Sequence, residues 1–344
     1  MDIQDIHEQQ PEGEQNMNLP HRISGWVNDG QHMLWQSQPM PPLAPHQVLI
    51  HVQATGVNRA DLLQRQGKYP PPLGASPVLG LEASGTVVAV GGQVTTLLEG
   101  DRVMALMEGG AYATHVIAHE GLCLPMPDTL GWLAGATLME AAFTWQNLGA
   151  ANLPPVYKTL LIHGGAGGMG SLFIQFAKAL GLATFVTVSS PDKAKLCLSL
   201  GADQAINYKQ DDFEAALLAL TEGKGVDVII DCVGGDHVSQ NLQCLAPGGR
   251  SIQLGTLGGG KATVPLLTLM RKGLTLTGAT LRDKSLEHKL DLAQKVKAWL
   301  LPLWEMGRLT CVIHQVFPMA QAPQALDLMA GGQYGGKLVL RGEG

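Results

Sequence analysis

Residues 163–170 read H-G-G-A-G-G-M-G, and Gly165, Gly167 and Gly170 within them make G-x-G-x-x-G. The neighbours give that spacing its meaning. Leu160, Leu161 and Ile162 precede it as a short apolar run; Leu172, Phe173, Phe176, Ala177 and Leu180 follow at helical spacing, and Gly181 offers a stop. At a strand-to-helix turn, the first glycine permits the tight bend and the second lets backbone approach a pyrophosphate. The third lets helix and strand pack closely. Free N–H groups at the helix start add partial positive charge. Alone, these residues would make only a glycine-rich turn. With a second strand over 184–188 behind them, they predict a dinucleotide site over Gly165, Ala166, Gly167, Gly168, Met169 and Gly170.

The end of that second strand selects the dinucleotide. An Asp or Glu about 20 residues beyond the glycines would take a ribose 2′-hydroxyl. Here the strand ends in Ser189-Ser190-Pro191, Lys193 follows, and Tyr208 ends the next strand. Small donors and a cation suit a 2′-phosphate that a carboxylate would repel, so NADPH is the expected cofactor rather than NADH. Plainer roles exist: a helix cap for Ser189 or Ser190, a solvated lysine, a rim tyrosine. Asp192, beside Lys193, would weaken a phosphate site that it faced.

The elements around these residues alternate strand and helix over 159–163, 171–180, 184–188, 192–200, 205–208, 212–220, 226–231, 236–245 and 250–255, which predicts a parallel sheet with right-handed crossovers. Residues 23–102 read instead as strands punctuated by Gly and Pro, and 130–148 as a boundary helix. After an amphipathic stretch at 286–303, short elements at 312–316, 322–329 and 337–340 return to the first module.

With 344 residues, 45% of them hydrophobic, the chain is long enough for two domains. Net charge is −6, of which Asp2, Asp5, Glu8, Glu12 and Glu14 supply −5; residues 1–16 are expected to form a disordered acidic tail on a near-neutral body. That balance excludes the basic footprint of a nucleic-acid binder. No apolar run reaches membrane-spanning length and no secretory signal opens the chain, so no membrane partner is expected. Five scattered cysteines, Cys123, Cys197, Cys232, Cys244 and Cys311, make no C-x-x-C and fit a reducing cytoplasm.

A family resemblance rests on three stretches. Gly80-Leu81-Glu82-x-x-Gly85-x-Val87-x-x-Val90-Gly91, with Val94 and Gly100-Asp101-Arg102-Val103, resembles the N-terminal signature of the medium-chain dehydrogenases/reductases. Leu161, the glycine turn, Gln175 and Lys178 resemble the signature of its zinc-free quinone oxidoreductases, the zeta-crystallin group. Asn58-Arg59-Ala60-Asp61-Leu62-x-Gln64-Arg65-Gln66-Gly67-x-Tyr69 is similar to the subgroup of the tumour-suppressor-induced quinone oxidoreductase and its bacterial relatives. Tyr157 departs from the group signature, which expects a smaller residue there.

The resemblance implies an α/β fold: a GroES-like β-rich catalytic domain (17–142 and 282–344) around a Rossmann doubly wound parallel-sheet domain (143–281). It places a Cys at position 58 and a His at position 81 in the zinc enzymes of the superfamily. Asn58 and Leu81 are poor replacements, so no metal site is expected. Without a Lewis acid, substrates whose reduced form is a delocalised anion are favoured. The implied activity is NADPH-dependent reduction of quinones, by hydride or single electrons. Reduction of α,β-unsaturated aldehydes or ketones is the alternative enzymatic reading. A non-enzymatic NADPH-binding role, crystallin-like or RNA-binding, is a third reading that the charge balance disfavours.

By the same resemblance Asn58, Asp61 and Tyr69 are the expected catalytic residues, the first two hydrogen-bonding a substrate carbonyl; their spacing equally suits a helix cap. Tyr69 and Thr144 should lie by the nicotinamide, with Ala279, Thr280 and Leu281 holding its carboxamide and Leu254, Gly255, Thr256 and Leu257 facing the cofactor. His163 reads as a satisfied core histidine. A homodimer or homotetramer is implied, with 264–270 and 274–277 extending a sheet edge across a two-fold axis.

Overall fold

The computed structural model describes residues 20–29, 32–150 and 153–342; the acidic stretch 1–16 lies outside them. An antiparallel hairpin, β1 (Arg22–Asn28) and β2 (Met33–Pro39), opens the fold with Trp26 opposite Trp35. Then come β3 (Gln47–Val57), α1 (Arg59–Arg65), β4 (Glu82–Val90), β5 (Arg102–Leu106), β6 (His115–His119) and β7 (Cys123–Pro125). The boundary helix predicted at 130–148 is two helices, α2 (Trp132–Gly135) and α3 (Met139–Asn147).

The alternating half contains β8 (Thr159–His163), α4 (Gly168–Ala179), β9 (Ala183–Val188), α5 (Pro191–Ser199), β10 (Gln204–Asn207), α6 (Phe213–Leu220), β11 (Val226–Asp231), α7 (His237–Cys244), β12 (Leu245–Gln253), α8 (Leu266–Lys272) and β13 (Thr275–Gly278). Its six strands are all parallel, in the order β10-β9-β8-β11-β12-β13. Apolar residues such as Leu160, Leu161 and Ile162 bury both faces of the central strand, which requires helices on both sides. The chain order reverses beside β8, so its carboxyl end opens at the crevice where doubly wound folds bind ligands.

The chain ends with α9 (Leu286–Glu305), β14 (Ile313–Pro318), α10 (Ala322–Gly331) and β15 (Lys337–Arg341). β15 pairs antiparallel with β3, so the last residues complete the sheet of the first lobe, β14-β15-β3-β4-β5-β7 with β6 also on β3. Helix α9 shares a core with α3 and α4: Trp299 meets Phe176 edge-on at 4.9 Å and donates to Gln146 at 3.0 Å. One expectation needs correction. Residues 264–270, expected to extend a sheet edge, mostly lie in α8, because Leu266-Leu267-Thr268-Leu269-Met270 leads through Arg271 and Lys272 to a left-handed Gly273, a helix C-cap. Only β13 is an edge strand there.

Candidate functional site

The glycine turn separates three duties. A Cβ on Gly165 would lie 2.5 Å from Val186 Cβ, and one on Gly170 would lie 2.4 Å from the Gly164 carbonyl oxygen. Both positions are closed by packing. Gly167 is the N-cap of α4, and a Cβ there would meet only the Gly164 oxygen, at 3.3 Å. Its outer side is open, at a helix N-terminus with unpaired N–H groups, a cradle that an added Cβ would begin to fill. Ala166 is buried and its carbonyl accepts from the Gly336 N–H at 2.7 Å, while Gly168 lies against the Lys337 side chain and Met169 packs on the core. The start of β15 therefore walls one side of the turn, a contact between segments so far apart in sequence that the motif carried no sign of it.

At the next strand ends, register places Val188 beside Asn207, and the Tyr208 N–H donates to the Val188 carbonyl at 3.1 Å. Ser190 is the cap of α5, accepting from the Lys193 N–H at 3.3 Å. Ser189 is left to the lysine ammonium: Lys193 Nζ donates to Ser189 Oγ at 3.2 Å and to the Gly332 carbonyl at 3.0 Å. Burial lowers the Lys193 pKa. Asp192 turns away, 3.6 Å from Lys195, so among the described residues no carboxylate pairs with Lys193. The Tyr208 ring is 43% exposed, with the Lys209 ammonium 5.6 Å from its centre. Lys209 is a further cation at this corner that the sequence reading passed over.

The remaining strand ends line up along the crevice. Leu254 and Gly255 donate to the Asp231 carbonyl at 2.7 and 3.3 Å, and Leu257 to the Cys232 carbonyl at 3.3 Å; Thr256 and Leu257 are exposed. Ala279 donates to the Gln253 carbonyl at 3.0 Å, Thr280 accepts from Asn147 of α3 at 3.0 Å, and Leu281 is buried. Thr144 is buried on α3. His163 is the satisfied core histidine expected: its ring nitrogens meet Thr187 Oγ1 at 3.0 Å and Asn241 Oδ1 at 2.7 Å, and burial lowers its pKa.

Asn58 and Asp61 take the capping alternative. The Asp61 carboxylate accepts the Asn58 N–H at 2.8 Å, the Gly80 N–H at 3.2 Å and the Tyr112 hydroxyl at 2.9 Å, and is wholly buried. Burial pushes its pKa up to about 6 against those hydrogen bonds. Asn58 donates through Nδ2 to Glu82 at 2.9 Å and accepts through Oδ1 from Lys337 at 2.7 Å. Every polar side-chain atom of the two residues has a protein partner, so a substrate carbonyl that they bound would share those atoms with the cap. Tyr69 is half-buried; its carbonyl accepts from Arg282 at 3.3 Å, its ring lies 5.4 Å from that guanidinium, and burial pushes the phenol up to about 12.

The first lobe holds a buried charged cluster that the sequence reading missed. Glu82 and Lys337 pair at 2.6 Å, both buried. Arg282 donates to Gln64 Oε1 and to the Glu108 carbonyl, each within 2.8 Å. Lys289 pairs with Glu108, and Glu140 lies among them. The available signal was charge set within apolar runs: Glu140 after Leu138-Met139, Lys337 before Leu338-Val339-Leu340.

Residues 44–128 match the alcohol dehydrogenase GroES-like domain and residues 168–295 the zinc-binding dehydrogenase family. A quinone oxidoreductase of Pseudomonas aeruginosa is 37% identical over 315 residues, 88% of this chain and 93% of that protein. The Escherichia coli quinone oxidoreductase complexed with NADPH superposes with a TM-score of 0.80 at 28% identity, over 93% of this chain and 99% of that one. CurK enoyl reductase superposes with a TM-score of 0.81 at 25% identity, with the same coverage. Zinc does not suit the residues present here. Among the described residues no group of three or more His, Cys, Asp or Glu is placed to hold a metal, Leu81 offers hydrocarbon, and the Asn58 amide is committed.

Proposed function

The chain belongs to the quinone oxidoreductases of the medium-chain dehydrogenase/reductase superfamily, and from that premise we propose that it reduces quinones with NADPH and without zinc. The observation that carries this reading is the corner of Ser189, Lys193 and Tyr208: a lysine ammonium held by the Ser189 hydroxyl, with no carboxylate pairing with it among the described residues, suits a 2′-phosphate. NADPH, when bound, supplies the hydride. The chain's own residues bind and orient: the glycine turn and the α4 N-terminus take the pyrophosphate, and the ends of β11, β12 and β13 line its path. Tyr69, Thr144 and Leu281 bound the reacting end. Desolvation and alignment there lower the barrier without a Lewis acid.

NADPH oxidation measured against a panel of quinones and conjugated enals, with and without chelator, tests the reading. Turnover of quinones that survives chelation, in protein without stoichiometric zinc, is expected. A preference for enals would favour the alternative substrate class, to which the CurK likeness lends support. We further propose a homodimer or homotetramer formed through the β13 edge, with Leu266, Leu267 and Met270 of α8 exposed nearby; light scattering that finds only monomer at micromolar concentration would overturn it. Five free cysteines support a cytoplasmic setting, and no helix among the described residues is long and apolar enough to cross a membrane.

A further inference from the structure

Glu140 is a buried carboxyl without a partner. It sits in the first turn of α3, 9% exposed, and its backbone N–H donates to Glu82 Oε2 at 3.0 Å. Its carboxyl makes no hydrogen bond or ion pair with any described residue, although three cations stand close. Each cation is taken. Lys337 is held by Glu82 at 2.6 Å and Asn58 at 2.7 Å. Arg282 is held by Gln64 at 2.8 Å and by the Glu108 and Tyr69 carbonyls; Lys289 is held by the Glu108 carboxylate and the Arg282 carbonyl.

Glu140 instead lines a narrow cavity with Leu81, Leu106, Leu122 and Leu281, whose free volume of about 10 Å³ is roughly what one water needs. Thr144 lies one helical turn further along α3, on the same side. Leu281 closes the segment after β13. Leu281 is thus common to this cavity and to the wall proposed above for the reacting ring.

We propose that Glu140 is held as the neutral carboxylic acid and is the proton donor of the reaction, giving its proton to the oxyanion formed on the substrate. This rests on the quinone reading above. The substrate, having gained two electrons and one hydrogen, carries negative charge on a ring oxygen. The O–H bond of Glu140 breaks, an O–H bond forms on that oxygen, and neutral hydroquinone leaves. The resulting carboxylate takes a proton from solvent, so each turnover consumes one proton beyond the hydride. Burial pushes the Glu140 pKa up to about 8, the Glu82 and Asp61 carboxylates add to the rise, and Lys337 and Arg282 oppose it. Tyr69, Lys289 and Glu108 are the other ionisable groups around it. A donor whose pKa lies near the working pH is well matched to proton transfer.

Glu140→Gln keeps the shape and removes the proton. Infrared difference spectra of the two proteins without cofactor should show a carboxylic-acid carbonyl band in the native protein that titrates near pH 8 and is missing from the variant. With a quinone, native kcat should fall above about pH 8. The variant should bind NADPH with unchanged Kd, turn over about a hundredfold or more slower, and lose that limb of the profile. A native protein that reduces no quinone would fail the functional reading, and the infrared titration would still decide whether Glu140 holds the proton. A native enzyme that reduces quinones with no descending limb near pH 8 would overturn the proton-donor assignment even if the variant did not fold. A folded variant that matched the native rate would overturn it too.

Discussion

Lys193 of the dinucleotide lobe donates to the main-chain carbonyl of Gly332, the left-handed cap of α10 in the other lobe, at 3.0 Å. The residue proposed to select NADPH therefore also joins the lobes. A few residues on, the Gly336 N–H reaches the Ala166 carbonyl of the glycine turn. One short connection, 332–336, thus touches both the proposed phosphate corner and the proposed pyrophosphate turn.

Lys193→Ala separates these duties by cofactor. Loss of a charge-assisted contact is worth about 1.5–3 kcal/mol, so NADPH binding should weaken roughly ten- to hundredfold, with NADH nearly unchanged. Titration of both cofactors by fluorescence reads the result directly. Equal weakening for the two would mean that the lysine serves the lobe contact and not the phosphate.

The glycines of the turn should fail in different ways. Gly170→Ala puts a methyl 2.4 Å from a backbone oxygen that cannot move aside, and should cost about 1–3 kcal/mol of stability in denaturant unfolding. Gly167→Ala meets one atom at 3.3 Å with φ at −74°, so the fold should tolerate it. Its methyl would occupy the open approach, and NADPH affinity should drop about tenfold, or ~1.4 kcal/mol. A Gly167→Ala protein with native affinity would place the pyrophosphate elsewhere.

The buried pair of Glu82 and Lys337 should resist single substitution. Lys337→Met leaves the Glu82 carboxylate without its cation and should cost about 3–5 kcal/mol, because an uncompensated buried charge is more expensive than a lost ion pair. Glu82→Gln with Lys337→Met removes both charges and should cost clearly less than the two single changes together. Additive losses in thermal or denaturant unfolding would show that the pair does not act as a unit.

Local signals in the sequence were enough for the Rossmann half. The periodicity of Leu160–Ile162 against Leu172–Leu180 and the capping chemistry of Ser190 with Pro191 are short-range, and the strands follow from them. The segment before β13 misled because Leu-, Thr- and Met-containing apolar runs suit either a strand or an amphipathic helix; Gly273 as a C-cap was the missed discriminator. The charged cluster was illegible for another reason. Lys337 meets Asn58 across 279 positions and Arg282 meets Gln64 across 218, and no local pattern encodes which buried charge finds which partner. The capping of α1 by Asn58 and Asp61 was legible in their spacing, but the further Asp61 partners Gly80 and Tyr112, 19 and 51 positions away, were not.

Stability should fall as pH rises between about 7 and 8, and Glu140 should be the cause. Its pKa is raised from 4.5 to about 8, so in that interval the folded protein keeps a proton that the unfolded chain has released. A state that binds more protons is favoured by acid, which makes the folded state lose ground as pH climbs. The other shifted groups act mostly outside this window, or against the decline at its lower end. Asp61, raised to about 6, works in the same direction but has largely released its proton by pH 6.5. His115, lowered to about 4 by burial, and His119 and His163, also lowered by burial, oppose the decline: unfolded imidazoles titrate near 6.5, so these groups favour the folded state as pH rises, an effect mostly spent by about pH 7. Glu120, held near 2 against burial by hydrogen bonds from His46, Thr95 and Thr96, is ionised in both states throughout. The buried thiols Cys123 and Cys232, pushed up to about 12, begin to matter only as unfolded thiols ionise near 9. A proton released progressively from pH 7 to 8 amounts to about 1 kcal/mol over that unit. Denaturant midpoints of the native protein should therefore decline across this window, and those of Glu140→Gln should not. A decline of equal size in the variant would show that Glu140 does not carry the proton in the folded state.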